Sequence, residues 1–179
     1  VGIITDTAHT KAKIKSINSE KINAELDKGK IVVIAGFQGV TENQEITTLG
    51  RGGSDTTGVA LGVALKADAV EICKDDVDGL YTADPRYASN TKKIDNISYE
   101  EMLELSGSGS KVLHLRAVEL AAKYGIKLYL RSTFKDEKGT YIKEEDETME
   151  KSTVRAIAHS KNEAKVTLVG VPDRPGIAA

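Results

Sequence analysis

Thr47-Thr48-Leu49-Gly50-Arg51-Gly52-Gly53-Ser54-Asp55-Thr56-Thr57 runs straight into Gly58-Val59-Ala60-Leu61-Gly62-Val63-Ala64-Leu65-Lys66-Ala67, and the reading of this stretch decides the fold. A polar, glycine-rich loop meets a segment without charge from Thr56 to Leu65. Ser54, Asp55 or Thr56 can each accept backbone N–H bonds that a first helical turn leaves open, so a helix is predicted from about residue 55. Val59, Ala60, Leu61, Val63, Ala64 and Leu65 surround its axis, which marks a helix covered on most sides. Its N-terminus is then the end that can meet a ligand. There the dipole and the free N–H groups favour an anion. Gly50, Gly52 and Gly53 let backbone approach a ligand closely, and Arg51 presents a planar fork suited to a carboxylate or phosphate.

The plain reading of the loop is a tight turn with Arg51 solvated and Asp55 a cap. Against it, Arg51, Ser54 and Asp55 place positive and negative groups within five residues, a pairing suited to a zwitterion such as an amino acid. Two better-known loops are excluded. In a Gly-x-Gly-x-x-Gly fingerprint counted from Gly50, the last position is Asp55, whose charge would repel a pyrophosphate. A phosphate loop ending in Gly-Lys-Ser or Gly-Lys-Thr occurs nowhere in the chain.

The run Thr47–Thr57 resembles the signature of aspartate kinases, within the amino acid kinase superfamily. The resemblance continues in Asp76-Val77-Asp78-Gly79-Leu80-Tyr81-Thr82-Ala83-Asp84-Pro85-Arg86, in Gly109-Ser110-Lys111-Val112-Leu113, and in Lys165-Val166-Thr167-Leu168-Val169-Gly170-Val171-Pro172-Asp173-Arg174-Pro175-Gly176, so it covers nearly the whole chain. Two departures stand out: Leu115 follows His114 where such proteins often have proline, and the second bears on the site. Where such proteins have Thr-Asp before Val-Asp-Gly, this chain has Lys74-Asp75-Asp76, with one residue added and the threonine lost.

Working outward, Lys11–Ile17 alternates basic with smaller or apolar residues as an edge strand does. Ser19 opens a helix to about Lys28, with Gly29 as its stop. Ile31-Val32-Val33-Ile34-Ala35-Gly36-Phe37 has the pattern of a strand buried on both faces of a parallel sheet, and Thr41–Gln44 that of a small hairpin. Ala69–Cys73 is a second buried strand. Strand, loop, helix and strand make a βαβ unit, whose ligands gather at the carboxyl ends of the strands. Lys74–Gly79 lies at such an end.

Ser98-Tyr99-Glu100-Glu101 reads as a capping box opening a helix, ended by Ser106–Ser110. Lys111 is read as starting the next helix, which puts its ammonium where a phosphate could sit. His114 is read as structural. Gly125 stops that helix, and Lys127–Ser132 is a strand. Asp136–Lys151, with Glu144-Glu145-Asp146-Glu147 at its centre, reads as a solvated linker. A boundary follows near residue 150, and then a hairpin of Val154–Ala158 and Ala164–Val171.

The chain has 179 residues, 25 basic against 27 acidic, and 4% aromatics, so neither nucleic acid nor an anionic membrane is favoured as a partner. The longest apolar run is far short of a membrane span and no signal peptide is evident, which gives a cytoplasmic expectation. Cys73 has no second cysteine to pair with, and His9, His114 and His159 are too dispersed to suggest a metal site. The chain starts without methionine and stops where Pro175-Gly176-Ile177 would open a helix, and it is read as an internal fragment.

The resemblance implies an α/β fold: a three-layer αβα sandwich with a mainly parallel sheet, the C-terminal part of an amino acid kinase domain over residues 1–150. Residues 151–179 would be a linker and the first strand of a truncated α+β ACT domain, the amino-acid-sensing module of the family. The implied activity is ATP-dependent phosphorylation of the side-chain carboxylate of L-aspartate, the first step toward lysine, threonine and methionine, with the fragment inactive alone. Arg51, Gly52, Gly53, Ser54 and Asp55 would hold the substrate; Asp75, Asp76, Tyr81, Asp84, Arg86 and Lys111 would meet the nucleotide. The catalytic roles would fall to Arg51, Asp55 and Lys111. ATP and Mg2+ are the implied cofactors, lysine and/or threonine the effectors, and a homo-oligomer through ACT domains the assembly. A kinase for glutamate, acetylglutamate or a nucleoside monophosphate stays open, as does a non-catalytic amino-acid-binding regulatory module.

Overall fold

Strand-forming and helix-forming stretches alternate along the computed structural model of the chain, which describes residues 2–145 and 154–159. The order is β1 Ile3–Thr5, β2 Ile14–Ile17, α1 Glu20–Leu26, β3 Gln38–Val40, β4 Ile46–Thr48, α2 Gly53–Ala64, β5 Ala69–Lys74, β6 Leu80–Tyr81, β7 Lys93–Ile94, β8 Asn96–Ser98, α3 Tyr99–Gly107, α4 Leu115–Tyr124, β9 Lys127–Ser132 and β10 Thr140–Lys143. One four-stranded sheet has the order β2-β1-β3-β4, a second the order β5-β9-β10-β8, and β6 pairs with β7 in a short ribbon. Among the seven pairings, β1–β3, β5–β9 and β8–β10 are parallel and the others antiparallel. The α/β class stands, with parallel and antiparallel pairs mixed in both larger sheets.

The core lies between the second sheet and helices α2, α3 and α4. Leu128 and Leu130 of β9 and Ile142 of β10 face Val59, Met102, Ala117, Val118 and Ala121 from the helices, all buried. Each large apolar side chain so covered contributes roughly 1.5–3 kcal/mol. The capping box of α3 forms as expected: the Ser98 hydroxyl accepts from the Glu101 N–H, while the Glu101 carboxylate accepts from the Ser98 N–H. Gly125 closes α4 in the left-handed region at φ 65°. The expected hairpin also forms, with β3 and β4 joined around Thr41–Glu45, and β2 is an edge strand.

Beyond the buried strand expected at Ala69–Cys73, of which only Ile72 is buried and Cys73 is exposed, four further expectations are corrected. The run Ile31–Phe37 forms no strand, and Ile31 and Val33 are 95% and 93% exposed. A strand needs a neighbouring backbone to complete its ladder, and no described strand pairs with this run. The parallel neighbour of β5 is therefore β9, so the βαβ unit built on residues 31–37 is absent among the described residues. Second, the helix after the glycine loop begins at Gly53, because Gly52 at φ 70° turns the chain and no side chain caps it. Third, the supposed linker from Asp136 contains β10, an interior strand with Thr140 and Ile142 fully buried. Charged neighbours hid a four-residue Thr-Tyr-Ile-Lys strand whose inward positions are only Thr140 and Ile142. Fourth, Lys111 does not start a helix: α4 begins at Leu115 behind His114.

Val154–His159 is not in a strand. The boundary near residue 150, the strand Ala164–Val171 and the start of the ACT domain lie outside the described residues.

Candidate active site

Two segments meet at the N-terminus of α2, the glycine loop that enters it and the carboxyl end of β5. The loop Gly50–Gly53 enters the helix through two left-handed glycines, Gly50 at φ 78° and Gly52 at φ 70°. Gly52 is also tight against the ring of His114, where a Cβ would sit 2.2 Å from Cγ. Only glycine satisfies both demands. His114 in turn caps α4, its Nδ1 accepting from the Arg116 N–H at 3.4 Å, which gives the structural role expected for it a concrete form. Arg116 braces the loop from behind, donating to the Leu49 carbonyl at 2.9 Å and the Ala12 carbonyl at 2.8 Å. The loop is thus held by α4 at one side and by residues near β1 and β2 at the other.

On this frame Arg51 and Ser54 are exposed, and Asp55 is half-buried in the first helical turn. Arg51 makes no hydrogen bond or ion pair among the described residues. No side chain caps α2; the Gly53 N–H donates to the Gly50 carbonyl at 2.9 Å, which leaves the N–H groups of Ser54 and Asp55 without a hydrogen-bond partner among the described residues. Asp55 does have a partner. The Lys74 Nζ donates to both of its carboxylate oxygens at 2.9 Å, joining the carboxyl end of β5 to the start of α2. Asp75 and Asp76 follow directly, both exposed.

The segment after them is tied into a second cluster. Asp78 accepts from the Tyr81 hydroxyl at 3.1 Å and from the Lys135 Nζ at 3.3 Å, and lies 3.4 Å from the Lys93 Nζ. Burial pushes the Asp78 carboxyl up, but the hydrogen bonds from Lys135 and Tyr81 and the charge of Lys93 outweigh it and leave it below its ordinary value. Burial, then the bond to Asp78, raise the Tyr81 hydroxyl. With the Lys93 ammonium 5.7 Å from its ring centroid, Tyr81 is held at both ends. Asp84 and Arg86 pair with each other, Arg86 Nη2 to Asp84 Oδ2 at 2.7 Å. The Arg86 guanidinium holds the Asp84 carboxyl down at about 2, and the hydrogen bond and charge of Asp84, with a smaller contribution from Asp76, raise Arg86.

The structure therefore brings Arg51, Gly52, Gly53, Ser54 and Asp55 together with Asp75 and Asp76. Tyr81, Asp84 and Arg86 form the adjoining loop. Lys111 is exposed and has no partner among the described residues, three positions before the His114 that packs on Gly52. Lys74, Asp78, Lys93, Arg116 and Lys135 were not singled out from sequence. Asp78 sat inside a quoted motif and Lys74 in the Lys74-Asp75-Asp76 departure beside it, so both were within reach. The other three arrive from distant segments and carry no local signal. No group of three or more His, Cys, Asp and Glu residues that could hold a metal ion occurs among the described residues, and no described helix is long and apolar enough to cross a membrane.

Residues 2–132 match the model of the amino acid kinase family. The chain belongs to that family. Among curated proteins, this amino acid kinase chain is 55% identical over 179 residues to the aspartate kinase of Pseudomonas fluorescens (strain SBW25), a match covering 99% of this chain and 43% of that protein. Among solved structures it resembles E. coli aspartokinase III in complex with aspartate and ADP (R-state), with a TM-score of 0.75 and 32% identity over 82% of this chain and 34% of that one. The same enzyme in complex with lysine and aspartate (T-state) gives a TM-score of 0.69, again over 82% of this chain and 34% of that one. The chain thus spans less than half the length of these relatives.

Proposed function

We propose that the protein containing this chain is an aspartate kinase, transferring the γ-phosphoryl group of ATP to the side-chain carboxylate of L-aspartate to give 4-phospho-L-aspartate and ADP. The observation that carries the reading is the Gly50–Asp55 loop. An unpartnered guanidinium and a carboxylate stand four positions apart at an uncapped helix start, matching an amino acid's carboxylate and ammonium. The identity to an aspartate kinase and the likeness to a structure holding aspartate and ADP support the same substrates.

The chemistry needs little of the protein beyond position and charge. A side-chain carboxylate with a free pKa of about 3.9 is already ionised at neutral pH, so no general base has to be supplied. One carboxylate oxygen forms a bond to the γ-phosphorus while the bond from that phosphorus to the β,γ-bridging oxygen breaks; the electron pair leaves with ADP and no proton moves. Arg51 would pair with a substrate carboxylate, Asp55 with the ammonium, and Ser54 would donate a hydrogen bond. Lys111, unpartnered and close to the glycine loop through His114, would meet phosphate charge. Arg86 would have to share its guanidinium between Asp84 and the nucleotide. Tyr81, fixed by Asp78 and Lys93, offers a rigid face to the nucleotide. Magnesium would enter on the phosphate oxygens, which suits an ion that keeps several waters and few protein ligands.

As the rest of this reading, the enzyme would act in the cytoplasm at the first step toward lysine, threonine and methionine. Lysine and/or threonine would act on complete ACT domains through which copies associate, and residues 1–179 alone would not turn over. The test is ADP release by the full-length protein with aspartate, glutamate, acetylglutamate and nucleoside monophosphates in turn. Turnover with aspartate alone is expected. Turnover only with another acceptor would overturn the substrate, and binding of amino acids without any turnover would make the protein a regulatory module.

A further inference from the structure

Lys74 lies outside every motif that marks the site, yet it makes the best-defined contact within it. As the last residue of β5 it is fixed by its backbone: it pairs with Ser132 of β9, and its carbonyl accepts from the Thr133 N–H at 2.8 Å. Its Nζ reaches both Asp55 oxygens at 2.9 Å, with 25% of its side chain and 13% of that of Asp55 exposed. The pair is therefore partly withdrawn from water, where charge interactions are screened less than at an open surface. A carboxylate offers about four acceptor sites. Lys74 takes one on each oxygen, which leaves Asp55 oriented and still able to receive an ammonium group.

Charge then points to a role. Without Lys74, Arg51 and Asp55 balance each other and match an amino acid with one carboxylate and one ammonium. At the start of α2 itself, with the exposed and solvent-screened Asp75 and Asp76 left aside, Lys74 makes two cations to one carboxylate, which matches an amino acid with two carboxylates and one ammonium. We propose that Lys74 is a specificity-determining residue, holding Asp55 in position and supplying the extra positive charge that selects a dicarboxylic amino acid over its neutral isostere. The inference rests on the proposed amino-acid site but not on turnover there.

Binding to the full-length protein, measured by calorimetry, separates the possibilities with aspartate and asparagine, which share a shape and differ by one charge. In the unmodified protein aspartate binds more tightly than asparagine. Lys74→Met weakens aspartate at least about tenfold more than it weakens asparagine, since both ligands lose the brace on Asp55 but only the dicarboxylate loses a charge partner. Lys74→Arg keeps the preference, and it carries the test if Lys74→Met does not fold. Equal weakening of both ligands in Lys74→Met would show a brace and no selectivity, and would overturn the proposal, as would unchanged aspartate binding. If neither ligand binds the unmodified protein, the proposal falls together with the amino-acid site. If aspartate binds with the expected preference but is not phosphorylated, only the proposed activity falls.

Discussion

Single residues in this site are constrained by what holds them, and the constraint differs between its two halves. Among the described residues Arg51 has no partner and Asp55 has one, so truncating Arg51 is expected to remove only what a ligand would receive. Arg51→Ala and Asp55→Asn in the full-length protein are each expected to lower kcat/KM for aspartate by about a hundredfold or more. The KM for ATP should stay within about threefold; a variant with ordinary aspartate kinetics would take its residue out of the site. In the other half, Arg86 depresses the Asp84 carboxyl from 3.8 to about 2. An acid whose folded pKa lies below its unfolded one contributes stability that is present above the unfolded value and lost as pH falls through the folded one. The window for Asp84 therefore runs downward from 3.8 to about 2, and neutral pH is unaffected. A carboxyl-carbon NMR titration should place Asp84 near 2 in the native protein and higher in Arg86→Ala, though still below 3.8 because the backbone N–H of residue 86 goes on donating to it. An unmoved midpoint in that variant would mean that Arg86 is not the group responsible.

At the level of elements, the sequence was most legible where local chemistry and tertiary placement agree. Ser98 and Glu101 announce their helix start, and Gly125 its stop, because caps are made by residues only a few positions apart. The glycine loop was legible for the same reason, and the helix after it was misplaced by two residues because Gly52, not a capping side chain, makes the turn. Ile31–Phe37 and Thr140–Lys143 failed in opposite directions. The first has a strand's apolar composition and no described partner, while the second has charged neighbours and partners on both sides. Pairing, which lies far away in sequence, decided both. The same distance hid Lys93 and Lys135, which reach Asp78 from other segments. One contact between elements can be tested directly. At Gly62 of α2 an added Cβ would lie 2.3 Å from Val70 Cγ2 and 2.9 Å from Ile126 Cδ1, so α2 approaches β5 only because this position is bare. Gly62→Ala gains helix propensity of about 1 kcal/mol but forces the helix outward, and a net loss of roughly 1–2 kcal/mol is expected in urea unfolding. A stabilised variant would show that the interface yields easily.

Across the whole molecule, residues far along the chain return to the side of the site expected to meet the nucleotide. The Ile157 N–H donates to the Thr82 carbonyl at 2.8 Å, and the His159 ring meets Tyr87 edge-on at 4.8 Å between centroids. Arg155 donates to the Glu101 carboxylate at 3.1 Å and to the Asn96 carbonyl, also at 3.1 Å. Residues 154–159 therefore span the loop Thr82–Tyr87, which carries Asp84 and Arg86, and the start of α3. Glu101 is shared, since the oxygen that receives Arg155 is also the one that receives the Ser98 N–H. Residues 154–159 are thus tied to the loop expected to meet the nucleotide by the Ile157 backbone hydrogen bond and the His159–Tyr87 ring contact, and to α3 by the partly exposed Arg155–Glu101 ion pair. Such a link is weak enough to open, because a partly exposed pair contributes about 1 kcal/mol or less. Arg155→Met should therefore leave the fold intact while raising hydrogen exchange at the Ile157 amide several-fold. In the full-length protein the KM for ATP should rise by about twofold to fivefold with the KM for aspartate unchanged, because the strap touches the loop with Arg86 and not the loop with Arg51. Unchanged exchange at Ile157 would show that the strap is held without Arg155. Equal shifts in both KM values would show that the two halves of the site respond as one body.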